Sequence, residues 1–202
     1  KAEGMILWNG TPGGLAAAPG NYFARFVVEK DSVEVPFIIK ADPTYKISQQ
    51  DYEAQFNFLM QVRQKFNDVQ KTIQDIRSLR TQINSFVALQ GKNIPKDVKQ
   101  SADTINKQLT AIEEELVQTK SKSGEDPLNF PIKLNDKIAG VYNVANAGNT
   151  APTKQVKDVF ADLSAQADLQ LNKLKIIKEK DIPAFNDLIR QKALPVIGTK
   201  SM

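Results

Sequence analysis

The chain has 202 residues, of which 41% are hydrophobic and 25% charged, and its formal net charge is +4. These values are typical of a folded globular protein, exclude a disordered chain, and allow one large domain or two small ones. Cysteine and histidine are both absent. Disulfides, thiolate nucleophiles and zinc sites built on cysteine or histidine are therefore excluded, together with the commonest general base.

The sequence shows neither a membrane span nor a secretory signal. No run of about 18 or more apolar residues occurs, which is the length that a spanning helix needs. No positively charged segment followed by an apolar core and a cleavage site stands at the start. The chain begins with Lys1 and enters an apolar run at residues 5–8. We expect it to be a piece of a longer protein.

The first 43 residues have the composition of β-structure. Residues 22–28 and 33–39 are rich in aromatic and β-branched side chains, and residues 29–32 between them suit a hairpin turn. Pro36 cannot donate to a ladder, which predicts an edge or bulged position for the second strand. Residues 5–8 are a candidate third strand.

Alternation along the two strands gives each an apolar face. Three strands cannot close a sandwich or a barrel, and each large apolar side chain left in water forgoes about 1.5–3 kcal/mol. We therefore expect the sheet to lean on the helices, on a second copy, or on preceding residues of the parent protein, and we favour the last. The residues predicted to share the two faces are Tyr22, Ala24, Phe26 and Val28 on one strand and Val33, Val35, Phe37 and Ile39 on the other.

One uninterrupted amphipathic helix is predicted from about residue 48 to 89. Ser48 suits the N-cap, with Asp51 beside the positive end of the helix. At 1.5 Å per residue the helix would reach about 60 Å. Its apolar residues recur in steps of three and four: Tyr52, Phe56, Leu59, Val62, Phe66, Val69, Ile73, Ile76, Leu79, Ile83 and Phe86.

Four shorter helices follow, at about residues 95–120, 133–147, 153–181 and 182–192. Gly91 suits a turn after the first helix, Pro183 predicts a break or kink, and Asp181 can cap the last segment. The predicted inward residues are Val98, Ala102, Ile105, Leu109, Ile112 and Leu116 in the second helix; Leu134, Ile138, Val141 or Tyr142, and Ala145 in the third; Val156, Phe160, Leu163, Ala167, Leu174 and Ile177 in the fourth; and Phe185, Leu188 and Ile189 in the fifth.

The fold class predicted from these patterns is mainly α with a small β part. Residues 1–43 would form a partial β-sandwich and residues 44–202 an elongated antiparallel helical bundle. Helices two and three together match the first helix in length, so they fit end to end as one interrupted rod in a three-helix bundle. The alternative is a four-helix bundle in which the third helix folds back beside the second.

No catalytic, cofactor-binding or metal-binding residues are predicted. Glu113, Glu114 and Glu115 are consecutive in a helix and fan out over about 200°, which indicates a solvated face. The basic residues flank apolar seams, where long side chains pack beside the core, so no nucleic-acid partner is predicted. These residues are Lys173, Lys175, Lys178 and Lys180 with Arg63, Arg77 and Arg80.

The candidate interaction surface consists of apolar residues outside the predicted seams. Phe58 departs from the buried series of the first helix, and Leu194, Val196 and Ile197 lie in the tail after the last helix. Asn9 and Thr11 also complete a glycosylation sequon, which matters only in a eukaryotic secreted protein.

Several segments resemble a known family. Trp8-Asn9-Gly10, followed by PGNYFARF at residues 19–26, is similar to the ending of fibronectin-III-like or hook-capping-type β-sandwiches. The continuation through FIIKADP at 37–43, SQQDYEAQF at 48–56 and IQDIRSLRTQ at 73–82 resembles the C-terminal region of exported bacterial proteins with sortilin-type BNR-repeat β-propellers. Members of that family are often labelled glycosyl hydrolases.

The resemblance implies an exported protein whose propeller, with any glycan chemistry, precedes this segment. The chain would then be a non-catalytic C-terminal module that spaces or docks the propeller. Its partner would be the preceding part of the parent, with self-association as a further option. Two alternatives stay open, a chain that contributes to a glycoside hydrolase site and a stand-alone self-assembly domain.

Overall fold

A computed structural model describes residues 4–8 and 12–196. The described chain is mainly helical and carries one two-stranded antiparallel sheet, as the sequence predicts at this level. The sheet precedes all the helices. The elements are β1 (Gly20–Val28), β2 (Asp31–Ile39), α1 (Gln49–Gln90), α2 (Lys96–Leu116), α3 (Leu134–Ala145), α4 (Lys154–Ile176) and α5 (Ile182–Gln191).

The long helix α1 begins and ends at the residues that its sequence indicates. The Ser48 hydroxyl accepts the backbone N–H of Asp51 at 3.1 Å and donates to the Asp51 carboxylate at 2.7 Å. This closes the first turn and places a negative charge at the positive end of the helix. At the other end Gly91 adopts a φ of 56°, which glycine tolerates without strain. The intervening 42 residues are one helix.

Helices α2 and α3 contact different parts of α1. Near the end of α1, the Asn106 side chain on α2 donates to the Asn84 side chain at 2.9 Å. Near its start, the Gln55 amide donates to the backbone carbonyl of Ala145 on α3 at 2.8 Å. The chain therefore travels back along α1 as it passes from α2 to α3.

Helix α4 runs in the same direction as α1. Lys65 contacts the carboxylate of Asp168 on α4 at 2.6 Å, and Lys178, just after α4, contacts Asp75 at 3.0 Å. Both pairs join residues 103 positions apart, so the two segments advance together. α4 thus returns along α1 opposite in direction to α2 and α3.

A π-helical turn at Ile177–Asp181 joins α4 to α5. Pro183 lies in the first turn of α5 and has no N–H to donate to the preceding turn. The Ile182 N–H instead reaches the carbonyl of Ile177, five residues back, so the helix continues through the proline. The predicted cap at Asp181 is wrong, because its backbone is helical and its side chain makes no capping bond.

Helix α2 is shorter than the sequence predicts. It ends at Leu116 rather than near residue 120, because Val117 adopts an extended backbone with φ −141° and ψ 146°. A β-branched residue favours this conformation, and the Val117 side chain is 1% exposed. The early end therefore buries one more apolar side chain.

The predicted third strand at residues 5–8 is wrong. The Met5 side chain is buried, and the Asn135 amide on α3 donates to its sulfur at 2.9 Å. The Trp8 backbone N–H donates to the Asp136 carboxylate at 2.7 Å. This segment packs on the start of α3, where a carboxylate satisfies its backbone and the helical core accepts its apolar side chain.

The core lies between the helices, along the predicted seams. All six seam residues of α2 are buried, and so are both Val141 and Tyr142, the two alternatives for α3. In α1 seven of the eleven seam residues are fully buried and the others are half-buried. The seven are Leu59, Val62, Phe66, Val69, Ile73, Ile76 and Ile83.

The prediction that Phe58 lies on an exposed interaction surface is wrong, because its side chain belongs to the core. Its side chain is 5% exposed and meets the Phe160 ring of α4 edge-on, with ring centroids 5.4 Å apart. Since α1 has neighbours on two sides, it buries two stripes, whereas the heptad-like pattern reveals only the stronger one. Phe58 cannot contribute to an exposed interaction surface.

Replacing Phe58 with Ala should therefore lower the free energy of unfolding by about 3–5 kcal/mol, because a cavity replaces a buried ring. Phe58→Leu keeps most of the volume and should cost less than half as much. Urea denaturation of both variants measures the difference. A loss below about 1 kcal/mol for the alanine variant would contradict the burial of this ring.

Asp126 organises the loop between α2 and α3. Its carboxylate accepts the backbone N–H of Lys122, the backbone N–H of Ser123 at 2.9 Å, and the Ser123 hydroxyl at 3.0 Å. These bonds, that from Lys122 first, hold the pKa of Asp126 below its ordinary value of 3.8. A carboxylate that binds donors in this way favours its charged form.

The loop should therefore loosen in acid. A lowered pKa gives stabilisation that is complete above the ordinary value of 3.8 and is lost as the pH falls through the lower folded value. Amide hydrogen exchange at Lys122 and Ser123 should rise in that range beyond its intrinsic pH dependence. Asp126→Asn should show fast exchange already at neutral pH. A pH-independent protection factor in the unmodified protein would refute this.

Candidate interaction surface

Strands β1 and β2 form a hairpin with a two-residue loop. Val28 pairs with Asp31, and the register continues without a bulge to Gly20 and Ile39. Glu29 in the loop has a φ of 55°, the left-handed conformation that tight hairpins require. The loop is shorter than the predicted turn at residues 29–32, since Asp31 and Ser32 belong to the ladder.

Both faces of the hairpin are apolar and exposed. Eight large hydrophobic side chains on its strands are between 45% and 71% exposed. Because Cβ atoms alternate along a strand, five of them lie on one face and three on the other. The first face carries Phe26, Val28, Val33, Val35 and Phe37, and the second carries Phe23, Val27 and Ile38.

In the described part of the chain the hairpin meets the helices at its base. The Gln49 side chain at the start of α1 donates to the Pro19 carbonyl at 2.8 Å. The Tyr22 hydroxyl donates to the Ala18 carbonyl at 2.6 Å, and its ring stacks on Phe37 with centroids 5.8 Å apart. Within the described residues neither strand packs extensively on a helix. Of the three supports considered for the sheet, packing on the helices is thus not seen in this part of the chain, and a second copy or preceding residues of the parent stay predictions.

A hairpin of this kind is unusual for an isolated protein surface. Two strands alone are marginally stable in water, and contiguous exposed apolar patches of this size mark interaction sites. Few polar side chains interrupt the apolar faces of the strands. One of them, Arg25, forms an ion pair with Glu34 at 2.5 Å. The hairpin is therefore the candidate interaction surface of the molecule.

The predicted surface residues lie elsewhere. Phe58 is in the core, Leu194 is half-buried against it, and Val196 is 70% exposed. Ile197 lies outside the described residues. The tail is held at the end of α1, where the Gln90 amide donates to the Pro195 carbonyl at 2.7 Å. Since the hairpin adjoins the start of α1, the two surfaces are separated by the length of that helix, about 60 Å.

Glu113 corrects the prediction of a solvated acidic face. Its side chain is only 6% exposed and accepts bonds from Arg77 at 2.7 Å and Arg80 at 2.6 Å, both on α1. Glu114 and Glu115 are exposed, as predicted. Sequence reasoning missed this cluster, because the arginines lie more than thirty residues from Glu113 along the chain.

Two of the four lysines at the end of α4 and just after it contact acids, and Lys173 donates instead to the Gln170 side chain at 3.2 Å. Lys175 lies 3.9 Å from Glu179 on the next turn, and Lys178 contacts Asp75 on α1 at 3.0 Å. These two pairs offset part of the positive charge along this side of the molecule.

Carboxylates are dispersed over the described surface. Among residues 4–8 and 12–196, no three aspartate or glutamate side chains lie close enough together to hold a metal ion. None of the helices in the described ranges combines the length and hydrophobicity needed to cross a membrane.

A second apolar surface is a groove between α3 and α4. It encloses ≈ 460 Å³, and Val144 and Val159 on its rim are 64% and 51% exposed. The other lining residues are Ile132, Lys137, Gly140, Val141, Gln155, Val156 and Leu163. The groove exposes less apolar surface than the hairpin, since only two of its lining residues are large hydrophobics that are mostly exposed.

These features define a mainly helical protein that presents an exposed apolar β-hairpin at one end of a long helix. Comparison of the chain with protein-family models, with curated proteins and with solved structures gave no match.

Loss of the Glu113 carboxylate should destabilise the α1–α2 pair. Glu113→Gln removes the buried carboxylate charge that Arg77 and Arg80 share, at a cost of about 2 kcal/mol once the partial exposure of the arginines is considered. The matched control is Glu114→Gln on the exposed face, which should change the unfolding free energy by less than about 0.5 kcal/mol. Equal effects of the two variants in urea denaturation would contradict a special role for Glu113.

Proposed function

We propose that the chain is a non-catalytic spacing and docking module, in which the helices form a strut and the hairpin is the docking element. One observation carries this proposal: both faces of the hairpin are apolar and open to solvent. A protein surface of this composition is stabilised when a partner covers it.

The strut would be an elongated antiparallel three-helix bundle with α2 and α3 in series. Its support is the order of contacts along α1, where α3 lies near the start, α2 near the end, and α4 runs beside both. α2 and α3 touch each other little, whereas each packs on α1 and α4. A folded-back third helix would pack along α2 instead.

The parent would be an exported protein with a BNR-repeat β-propeller ahead of this segment. In that arrangement β1 and β2 are the last strands of a β-sandwich. The face with five large apolar side chains would pack inside the sandwich, and the face with Phe23, Val27 and Ile38 would be covered by another part of the parent. The bundle would then project from the sandwich through the short link before α1.

A glycoside hydrolase site is the competing function and has less support. It needs two carboxylates about 5–10 Å apart in a cleft, one of them able to act as an acid. The two buried carboxylates on the described helices are already committed: Glu113 to Arg77 and Arg80, and Asp136 to the Trp8 backbone.

Hydrolase assays should therefore give no signal. We expect no release of nitrophenol from a panel of nitrophenyl glycosides above a blank without protein. The direct contradiction would be turnover that is abolished by Asp136→Asn or Glu113→Gln while circular dichroism shows the variant to be folded.

The docking role makes a separate prediction about the hairpin. Phe26→Thr should leave the unfolding free energy of this chain within about 0.5 kcal/mol, because the ring is exposed. In a longer version that includes the natural upstream sequence, the β1 and β2 amides should be protected from hydrogen exchange, and the same substitution should reduce that protection. Hairpin amides that exchange equally fast in both versions would refute docking onto the parent, and an upstream sequence without propeller repeats would refute the proposed parent.

A further inference from the structure

Within residues 4–8 and 12–196 neither edge of the hairpin pairs with a further strand, and the two edges differ in their hydrogen-bonding capacity. In a hairpin with a two-residue loop the closing pair, here Val28 and Asp31, exchanges backbone hydrogen bonds, and every second pair along the ladder does the same. The pairs in between direct their N–H and C=O groups outward. Phe23 and Pro36 form such an outward pair. The outer edge of β2 therefore lacks a donor near its middle.

The outer edge of β1 has all its backbone hydrogen-bond donors and acceptors. Its outward residues are Asn21, Phe23, Arg25 and Val27, which supply four N–H and four C=O groups. The usual devices that block an edge are proline, a bulge and unpaired charge. β1 has no proline and no bulge, and its single charged residue, Arg25, is neutralised by Glu34. A further strand can add to β1 without losing a backbone hydrogen bond.

We propose that a second copy of this chain adds to β1 through its own β1, in antiparallel orientation, to form a four-stranded sheet with its two-fold axis at Ala24. This inference rests on the proposed docking role of the hairpin and names its partner. The pairing is self-complementary, as a two-fold interface requires, because each copy offers the same outward groups.

Charge selects the register. The outward residues of one copy must lie opposite the outward residues of the other, so that their backbone groups can pair. The two-fold axis can therefore lie at Phe23, Ala24 or Arg25. An axis at Arg25 opposes two arginines, which is unfavourable, and an axis at Phe23 leaves the Val27 backbone groups outside the strand. An axis at Ala24 places Arg25 of each copy opposite Phe23 of the other, where a cation can contact a ring face, and uses all four outward residues.

Strand addition uses the edge of the hairpin and leaves its faces open. The eight large apolar side chains lie on the two faces, so they stay available to the parent protein when a second copy pairs with β1. A four-stranded sheet also passes the size at which strands become independently stable, which a two-stranded hairpin does not.

A single cysteine tests the register, because the natural chain has none. Ala24→Cys would place two thiols opposite each other in a non-hydrogen-bonded pair, where the Cα atoms are about 4.5 Å apart and a disulfide can form. The control is Val27→Cys, whose side chain is 64% exposed but would face Asn21 of the second copy. Under mild oxidation the Ala24→Cys protein should form covalent dimers several-fold faster than the control. Equal rates, or a faster control, would overturn the register.

Two proline variants test which edge is used. Val27→Pro and Ser32→Pro change the two residues of one outward pair, so each removes an outward N–H, spares the hydrogen bonds within the hairpin and keeps the Arg25–Glu34 ion pair. In sedimentation at about 10–300 µM, a range that detects micromolar association, the unmodified chain and Ser32→Pro should approach twice 22.4 kDa, whereas Val27→Pro should stay monomeric. Circular dichroism confirms that the helices are intact in each variant.

Different results would overturn the second copy as partner and the docking role of the hairpin. An unmodified chain that stays monomeric throughout, with no cross-link at residue 24, would overturn the second copy as partner. Protection of the hairpin in the longer protein would in that case still support docking onto the parent. Loss of dimers in Ser32→Pro as well as Val27→Pro would overturn the assignment of the β1 edge.

Discussion

The length of the apolar surface on α1 is the constraint on which the rest of the fold depends. Its 42 residues extend about 60 Å, and no other helix in the described chain is as long. One side is covered by α2 and α3 in succession and another by α4 with α5. Because two neighbours flank α1, it buries a second stripe that includes Phe58 and polar residues such as Gln55 and Gln70. The breaks in the other helices allow them to follow this one continuous element.

Glu113 and the hairpin both depart from the usual distribution of residues, in which charged side chains are exposed and apolar side chains are buried. Glu113 is a charged residue in the helical interior, where two arginines of α1 compensate it. A buried ion pair of this kind contributes less to net stability than to the choice of one register, because a shifted helix would leave the charge unpaired. The hairpin shows the opposite case, with large apolar side chains in water. The charge of Glu113 is compensated within the chain, whereas the exposed apolar side chains of the hairpin are the basis of the proposed docking role.

The link between hairpin and helices determines how such a partner would be held. The Gln49 amide ties the base of the hairpin to the first turn of α1, so the strands lie at one end of the strut. The tail after α5 lies at the other end, beside Gln90. Whatever docks on the hairpin is therefore positioned at a fixed distance from the far end of the helices, which is the property expected of a spacer.

The sequence alone determined the elements whose signals are local. The Ser48 cap, the seam of α2 and the two strands follow from spacing and side-chain chemistry within a few residues. Tertiary structure decided the rest. Phe58 and Glu113 became buried because α4 and α1 lie against them, and residues 5–8 joined α3 instead of the sheet. The hairpin stayed exposed because no described helix covers it. The periodicity of a sequence predicts which face of a helix or strand can be buried. Whether that face is buried depends on which element, distant in sequence, packs against it.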